Sequence, residues 1–195
     1  LDLEDSVALD AKPAARELAR DFLKDVNARA KRPRLIVRVN ALTTGMTEAD
    51  LDVVMQGSPD AIMLPKAEGG PDLSHLAAHV AVREAEYDLP DGGTKIIAIA
   101  TETGKGIFGL GSYAGASHRL SGLTWGAEDL SADLGAETNR LENGTYTDPY
   151  RIARSLLLFA ASAAQVDAID TVFTAFRDEA ALRAECIGAR RDGFT

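Results

Sequence analysis

The sequence holds a single cysteine, Cys186, which excludes an intrachain disulfide framework and a thiolate metal cluster. Cys186 stands in a helical, partly apolar stretch and is expected to be a buried structural thiol. Basic residues are outnumbered: 21 Lys and Arg against 30 Asp and Glu leave a formal charge of −9, which excludes a broad electrostatic grip on nucleic acid or anionic lipid. No run approaches the roughly 18 to 20 apolar residues of a membrane span, and the opening Leu1-Asp2-Leu3-Glu4-Asp5 lacks the basic-then-apolar order of a signal peptide. A cytoplasmic location is the expectation. Linkers, internal repeats and low-complexity segments are also lacking. Of the three histidines, His75 and His79 have the i, i+4 spacing of a metal pair but no intervening zinc-protease glutamate, so a wet helix face is expected; His118 adds nothing further.

What is there is ample apolar material, 46% of 195 residues, enough for one core and one domain spanning residues 1–195. Short β-branched runs alternate with longer amphipathic ones, the pattern of helices covering a parallel sheet. Strands are predicted at Leu1 to Leu3, Leu35 to Val39, Ala61 to Leu64, Lys95 to Ala100, Gly122 to Trp125 and Ala168 to Val172. Most are continuously apolar, as strands buried on both faces must be. Helices are predicted over Ala11 to Ala30, Thr47 to Met55, Leu73 to Tyr87, Gly106 to Ala116, Tyr150 to Val166 and Glu179 to Arg191. Thr47 and Asp178 read as N-caps, as does Asp148 ahead of Pro149. Six such units fit either an open doubly wound sheet or an incomplete barrel, since a full (β/α)8 barrel takes about 250 residues.

In parallel β/α folds ligands meet the C-terminal ends of the strands. Those ends carry Glu4 and Asp5, Arg38 and Asn40, Lys66, Glu102, and Glu128 with Asp129. Glu102 and Asp129 lie 27 residues apart, one β/α step, which brings two hard oxygen donors to one side of the sheet. With room for water and substrate oxygens, such a pair suits Mg2+. The competing reading is that either acid caps the following helix, Asp129 especially, because Leu130 to Leu134 could begin a helical turn. Arg38 interrupts an apolar strand and needs an anionic partner. A substrate carboxylate held bidentately is one answer; an internal pair with Glu4 or Asp5 is the other, and the two are compatible. Lys66 is a secondary candidate. Gly104 and Gly106 match neither a dinucleotide fingerprint nor a P-loop and are expected to ease the turn into a helix, and Ser112 and Ser121 lack a nucleophile elbow.

The ordered segments Leu1-Asp2-Leu3-Glu4-Asp5-Ser6-Val7, Val37-Arg38-Val39-Asn40, Leu64-Pro65-Lys66, Thr101-Glu102-Thr103 and Trp125-Gly126-Ala127-Glu128-Asp129-Leu130 resemble the citrate lyase β-subunit-like family, within the HpcH/HpaI aldolase superfamily of CoA-ester lyases. The resemblance continues through Ala153-Arg154-Ser155, Ala168-Ile169-Asp170 and Ala189-Arg190-Arg191-Asp192-Gly193-Phe194. It implies a TIM-type (β/α)8 barrel with the first and last strand units missing from this chain. It further implies that Glu102 and Asp129 match the metal acids, that Arg38 matches the substrate-holding arginine, and that Mg2+ chelates a 2-oxo acid. The implied reaction is cleavage or formation of a malyl-, citramalyl- or citryl-type CoA thioester to or from acetyl-CoA and the oxo acid. Homotrimers or doubled trimers are implied as well. The family's N-terminal strand and C-terminal region, which help hold CoA and supply an acid for proton transfer, have no counterpart here, so the catalytic base is unknown. A class II pyruvate aldolase without CoA and a non-catalytic scaffold subunit are the alternatives. An Arg-rich groove for a nucleotide phosphate would favour CoA, and Lys12, Arg16 and Arg20 hint at one.

Overall fold

The computed structural model describes residues 1–195. Five parallel strands, β1 (Ile36–Arg38), β2 (Ala61–Leu64), β3 (Lys95–Ile99), β4 (Leu120–Thr124) and β5 (Asp167–Ile169), stand side by side in chain order. The helices are α1 (Lys12–Asn27), α2 (Thr47–Val54), α3 (Gly70–Glu86), α4 (Gly104–Gly109), α5 (Ala127–Leu134), α6 (Asp148–Ala164) and α7 (Glu179–Asp192). None is long and apolar enough to cross a membrane.

Strand order decides between the two architectures. Parallel crossovers are right-handed, so adding every new strand to the same edge places every crossover helix on the same face. A doubly wound sheet needs a reversal of order to cover its second face, and this sheet has none. Side chains confirm the asymmetry. Val37, Ile62, Leu64, Ile96, Ala98 and Leu123 are fully buried on the helix side. The alternate set, Ile36, Arg38, Met63, Ile99, Thr124 and Ile169, lines the opposite, concave face. The register aligns Arg38 with Met63 and Ile99 with Thr124 and Ile169. A register shift at Ile96/Ile97 against β4 adds local twist. This is a barrel-type α/β wall, and the barrel is not closed within these residues.

Several boundaries differ from the sequence reading. Leu1 to Leu3 form a single parallel bridge, Asp2 to Arg38, carried by Arg38 N–H to Leu1 O and Leu3 N–H to Arg38 O, both 2.9 Å. The sheet bonding stops there because residues 4–6 turn away. β5 ends at Ile169 rather than Val172, since the Asp170 carboxylate takes the Thr171 N–H at 2.9 Å and turns the chain out of the ladder. α5 is a full helix from Ala127, where only a turn from Leu130 is legible in the sequence. The expected Gly106 to Ala116 helix starts two residues earlier, capped by Thr103, and tightens into a 3-10 turn from Leu110. Asp178 caps α7 through Ala181 N–H. Thr47 is not a cap: it is the first residue of α2, and its hydroxyl donates to Asn40 O at 2.9 Å. Asp148 likewise lies inside α6, one residue past the N-cap Thr147. Cys186 is exposed rather than buried, because α7 sits on the surface with no buried residue along its length.

The N-terminal end of the sheet is closed by a buried ion pair. Arg119 and Glu84 meet at 2.7 Å with side chains 2% exposed, and Glu84 also accepts the Gly92 and Thr94 N–H groups. Removing one partner strands the other charge, which costs about 3–5 kcal/mol. Arg119→Met is therefore expected to lose about that much stability in urea unfolding; a loss below about 1 kcal/mol would contradict this role.

Candidate functional site

The opposite, C-terminal end of the sheet carries the charged residues, and Lys66 organises them. It follows β2 in a left-handed backbone conformation, φ +51°, uncommon for a residue with a side chain. That conformation lets one residue hold two acids. Its main-chain N–H donates to Glu102 Oε2, while its Nζ lies 3.2 Å from Asp129 Oδ1. Nζ also reaches Glu4 Oε1 at 2.5 Å and Asp5 Oδ2 at 3.7 Å. Burial acts to lower the Lys66 pKa, but Glu4, Asp129 and Glu102 outweigh it and hold the ammonium well above its ordinary value. The lysine is thus charged at neutral pH.

Glu102 is 3% exposed just beyond β3. Burial, reinforced by the charge and proximity of Asp129, pushes its carboxyl up to about 8, against the stabilising Lys66 N–H. Asp129 comes from the first turn of α5. It makes no capping bond there, so the helix-cap reading does not account for it. Between them stands Gly126, where a Cβ would fall 2.8 Å from Glu102 Cγ and 3.2 Å from Oε1. Only glycine lets the β4–α5 connection pass this close to the carboxylate.

Arg38 projects from the end of β1 onto the concave face. Its Nε and Nη2 grip Asp2 bidentately at 2.7 and 2.6 Å. Nη1 lies 2.7 Å from Glu4 Oε2, yet that oxygen is buried without a hydrogen-bond donor. The internal-pair reading is thus correct for Glu4, wrong for Asp5, and incomplete without Asp2. Asp2 sits directly opposite Arg38 in the single parallel bridge, and Glu4 is brought alongside by the turn that follows. Despite its burial, Asp2 is held well below the usual carboxylate range by Arg38, Ser6 and the Glu4 N–H. Burial raises Glu4 in spite of Lys66 and Arg38. The acidic segment is itself fastened from behind, where Lys12 Nζ donates to Leu3 O at 2.8 Å and Glu4 O at 3.0 Å.

That contact removes the suggested basic groove. Lys12 is 7% exposed, Arg16 pairs with buried Asp50 at 2.7 Å, and Arg20 is held by Glu17 and Asp21. Asp50 also takes both the main-chain and side-chain N–H of Asn40 at 2.7 Å, so Asn40 serves the fold rather than the mouth. His75 and His79 lie with ring centroids 4.5 Å apart, and His79 approaches Arg83 and Glu48. No group of three or more His, Cys, Asp or Glu is placed to hold a metal.

A cavity of about 730 Å³ opens over the site. Arg38, Glu102 and Asp129 share its lining with residues the sequence reading assigned no role, among them Trp125 and Asp170, whose side chains bond at 2.6 Å.

The family model for HpcH/HpaI aldolase/citrate lyase matches residues 1–195. The chain belongs to that family. Curated members it resembles include the citrate lyase subunit beta of Leuconostoc mesenteroides subsp. cremoris, 35% identical over 91% of this chain and 56% of that protein. The (3S)-malyl-CoA thioesterase of Cereibacter sphaeroides is 36% identical over 99% of this chain and 61% of its own length. Among solved members, the citrate lyase beta subunit from M. tuberculosis complexed with oxaloacetate and magnesium superposes with a TM-score of 0.80 at 35% identity, covering all of this chain and 77% of that one. This chain thus spans about three-fifths of the length of the curated members it matches.

The raised Glu102 pKa fixes a sign for stability. A buried acid whose folded pKa exceeds its unfolded value destabilises the fold increasingly as pH rises from the unfolded pKa to the folded one. Without divalent cations, Glu102→Gln is expected to lie within about 1 kcal/mol of the native chain near pH 5 and to exceed it by roughly 4 kcal/mol at pH 8.5 in urea unfolding. Equal stabilities at both pH values would contradict the assignment.

Proposed function

We propose that this chain carries the metal- and oxo-acid-binding part of a Mg2+-dependent carbon–carbon lyase. The enzyme cleaves, or forms, a 3-hydroxyacyl-CoA thioester of the malyl, citramalyl or citryl type, with acetyl-CoA and a 2-oxo acid as the other side of the reaction. The observation that carries this reading is the pair Glu102 and Asp129: two carboxylates from adjacent strand ends, one buried and one partly exposed, facing a cavity with Lys66 as their counter-cation. Two hard oxygen donors fit Mg2+, which keeps several positions for water and substrate oxygens and needs only one or two protein carboxylates. The M. tuberculosis structure with oxaloacetate and magnesium supports the same ligand class.

Glu102 and Asp129 would hold the ion, which when bound supplies Lewis-acid polarisation of the oxo-acid oxygens. Arg38 is preoriented by Asp2 and turns its guanidinium toward the cavity, where it takes the substrate carboxylate. Lys66 places a positive charge beside the reacting oxygens and keeps Asp129 aimed at the mouth. The Gly126 connection leaves space for Glu102 to face the ligand. No side chain is assigned as the base. The free edges of the wall, at the opening segment and β5, suit coverage by other chain, consistent with an oligomer.

A second reading, a class II pyruvate aldolase that does not use CoA, is favoured by one observation: Lys12, Arg16 and Arg20 are engaged by internal partners rather than lining a basic groove. The malyl-CoA relative supports the thioester reading.

Titration calorimetry with Mg2+ and oxaloacetate, pyruvate or glyoxylate tests the proposal. An oxo acid should bind only with metal. Glu102→Ala and Asp129→Ala should abolish binding, and Arg38→Lys should weaken the oxo acid by about tenfold while sparing Mg2+. Absence of metal and oxo-acid binding in a folded protein refutes the proposal. Cleavage of malyl-CoA but not free hydroxy-oxo acids separates the lyase from the aldolase.

A further inference from the structure

The sole tryptophan, Trp125, is 2% exposed, and its indole N–H therefore needs a partner inside the protein. Asp170 provides it: Oδ1 accepts at 2.6 Å. The same carboxylate receives Arg154 Nη2 at 2.8 Å and the Thr171 N–H at 2.9 Å. Arg154 in turn pairs with Asp192 at 2.8 Å and lies 4.4 Å over the Phe194 ring. One carboxylate thus ties the β4–α5 connection to β5, α6 and the end of α7.

We infer that Asp170 is a positioning residue for the acid pair, acting through the Trp125 indole. Trp125 immediately precedes Gly126, whose N–H reaches Thr101 Oγ1 at 3.3 Å and whose missing Cβ lets Glu102 pass. Asp129 follows one helical turn later. Where the indole is pinned determines where α5 starts, and that sets the reach of Asp129 toward Glu102 and Lys66. Tyr146 packs edge-on against the indole at 5.1 Å and fills the remaining side, but it supplies no acceptor for the N–H. The polar bond to Asp170 is the specific constraint. Asp170 makes no direct contact with Glu102 or Asp129, so its effect runs through the main chain between Trp125 and Asp129.

Only the metal arm of this inference rests on the proposed function, and the experiment separates the two. Hydrogen exchange of residues 126–134 is measured in the full chain, native and with Trp125→Phe, which deletes the N–H together with part of the buried ring, and with Asp170→Leu. Mg2+ affinity is measured in parallel. Both variants are expected to speed exchange in this segment by about tenfold, while the rest of the chain keeps its protection. Each should weaken Mg2+ binding roughly tenfold, the usual cost of removing a supporting bond behind a ligand. The double variant should lose less than the sum of the two single ones, since the Trp125–Asp170 bond is missing from both. The indole emission of Asp170→Leu should also shift from the native spectrum. Native exchange in Trp125→Phe overturns the inference, and that variant decides the matter alone should Asp170→Leu not fold. If the native chain binds no Mg2+, the functional proposal fails, while the exchange comparison still upholds or overturns the positioning role.

Discussion

Two carboxylates drawn together out of water repel each other, and in this fold one lysine holds them in place. Lys66 grips Glu102 with its main-chain N–H and Asp129 with its ammonium, from a left-handed backbone that points the two donors at neighbouring strand ends. Glu4 anchors the ammonium from the other side, and Lys12 anchors the segment that carries Glu4. The acids, the arginine and the cavity are all arranged around this one charge. Burial, reinforced by the neighbouring Asp129, pushes the Glu102 carboxyl up to about 8. A buried carboxyl that resists ionisation is one whose charged form a divalent cation stabilises on arrival.

The two ends of the sheet divide the work. At the N-terminal end, Arg119 and Glu84 form a closed, buried pair. At the C-terminal end, Arg38, Lys66 and the four acids Asp2, Glu4, Glu102 and Asp129 are interlinked and lie at the open cavity. Barrel-type folds concentrate stability at one end and chemistry at the other, and the buried pair at one end and the open charge cluster at the other follow that division.

Much of this was legible in the residues. Continuous apolar runs marked the buried strands β2 and β3, and the polar residues directly after them marked the mouth. Strand order was not legible, because six β/α units are compatible with either winding; only the chain-order pairing of the five strands separates them. Lys66 was underrated because a lysine after Leu64-Pro65 reads as solvated, and nothing local announces a left-handed backbone. Asp2 and Asp170 were passed over for a similar reason, since each acts through a partner about 36 or more residues away. Cys186 misled because helical periodicity in α7 suggests a buried face that the fold does not provide.

The central claim is that Glu102 and Asp129 form one cation site now neutralised by Lys66. Its most direct test is a crystal grown with Mn2+, a spectroscopically and crystallographically visible substitute for Mg2+, and oxaloacetate. The account predicts an anomalous peak bonded to both carboxylates, the oxo acid completing its coordination with its carboxylate toward Arg38, and the Lys66 ammonium moved off Asp129. A peak elsewhere, or an ordered oxo acid with the Lys66–Asp129 pair intact and no metal between the acids, would contradict it.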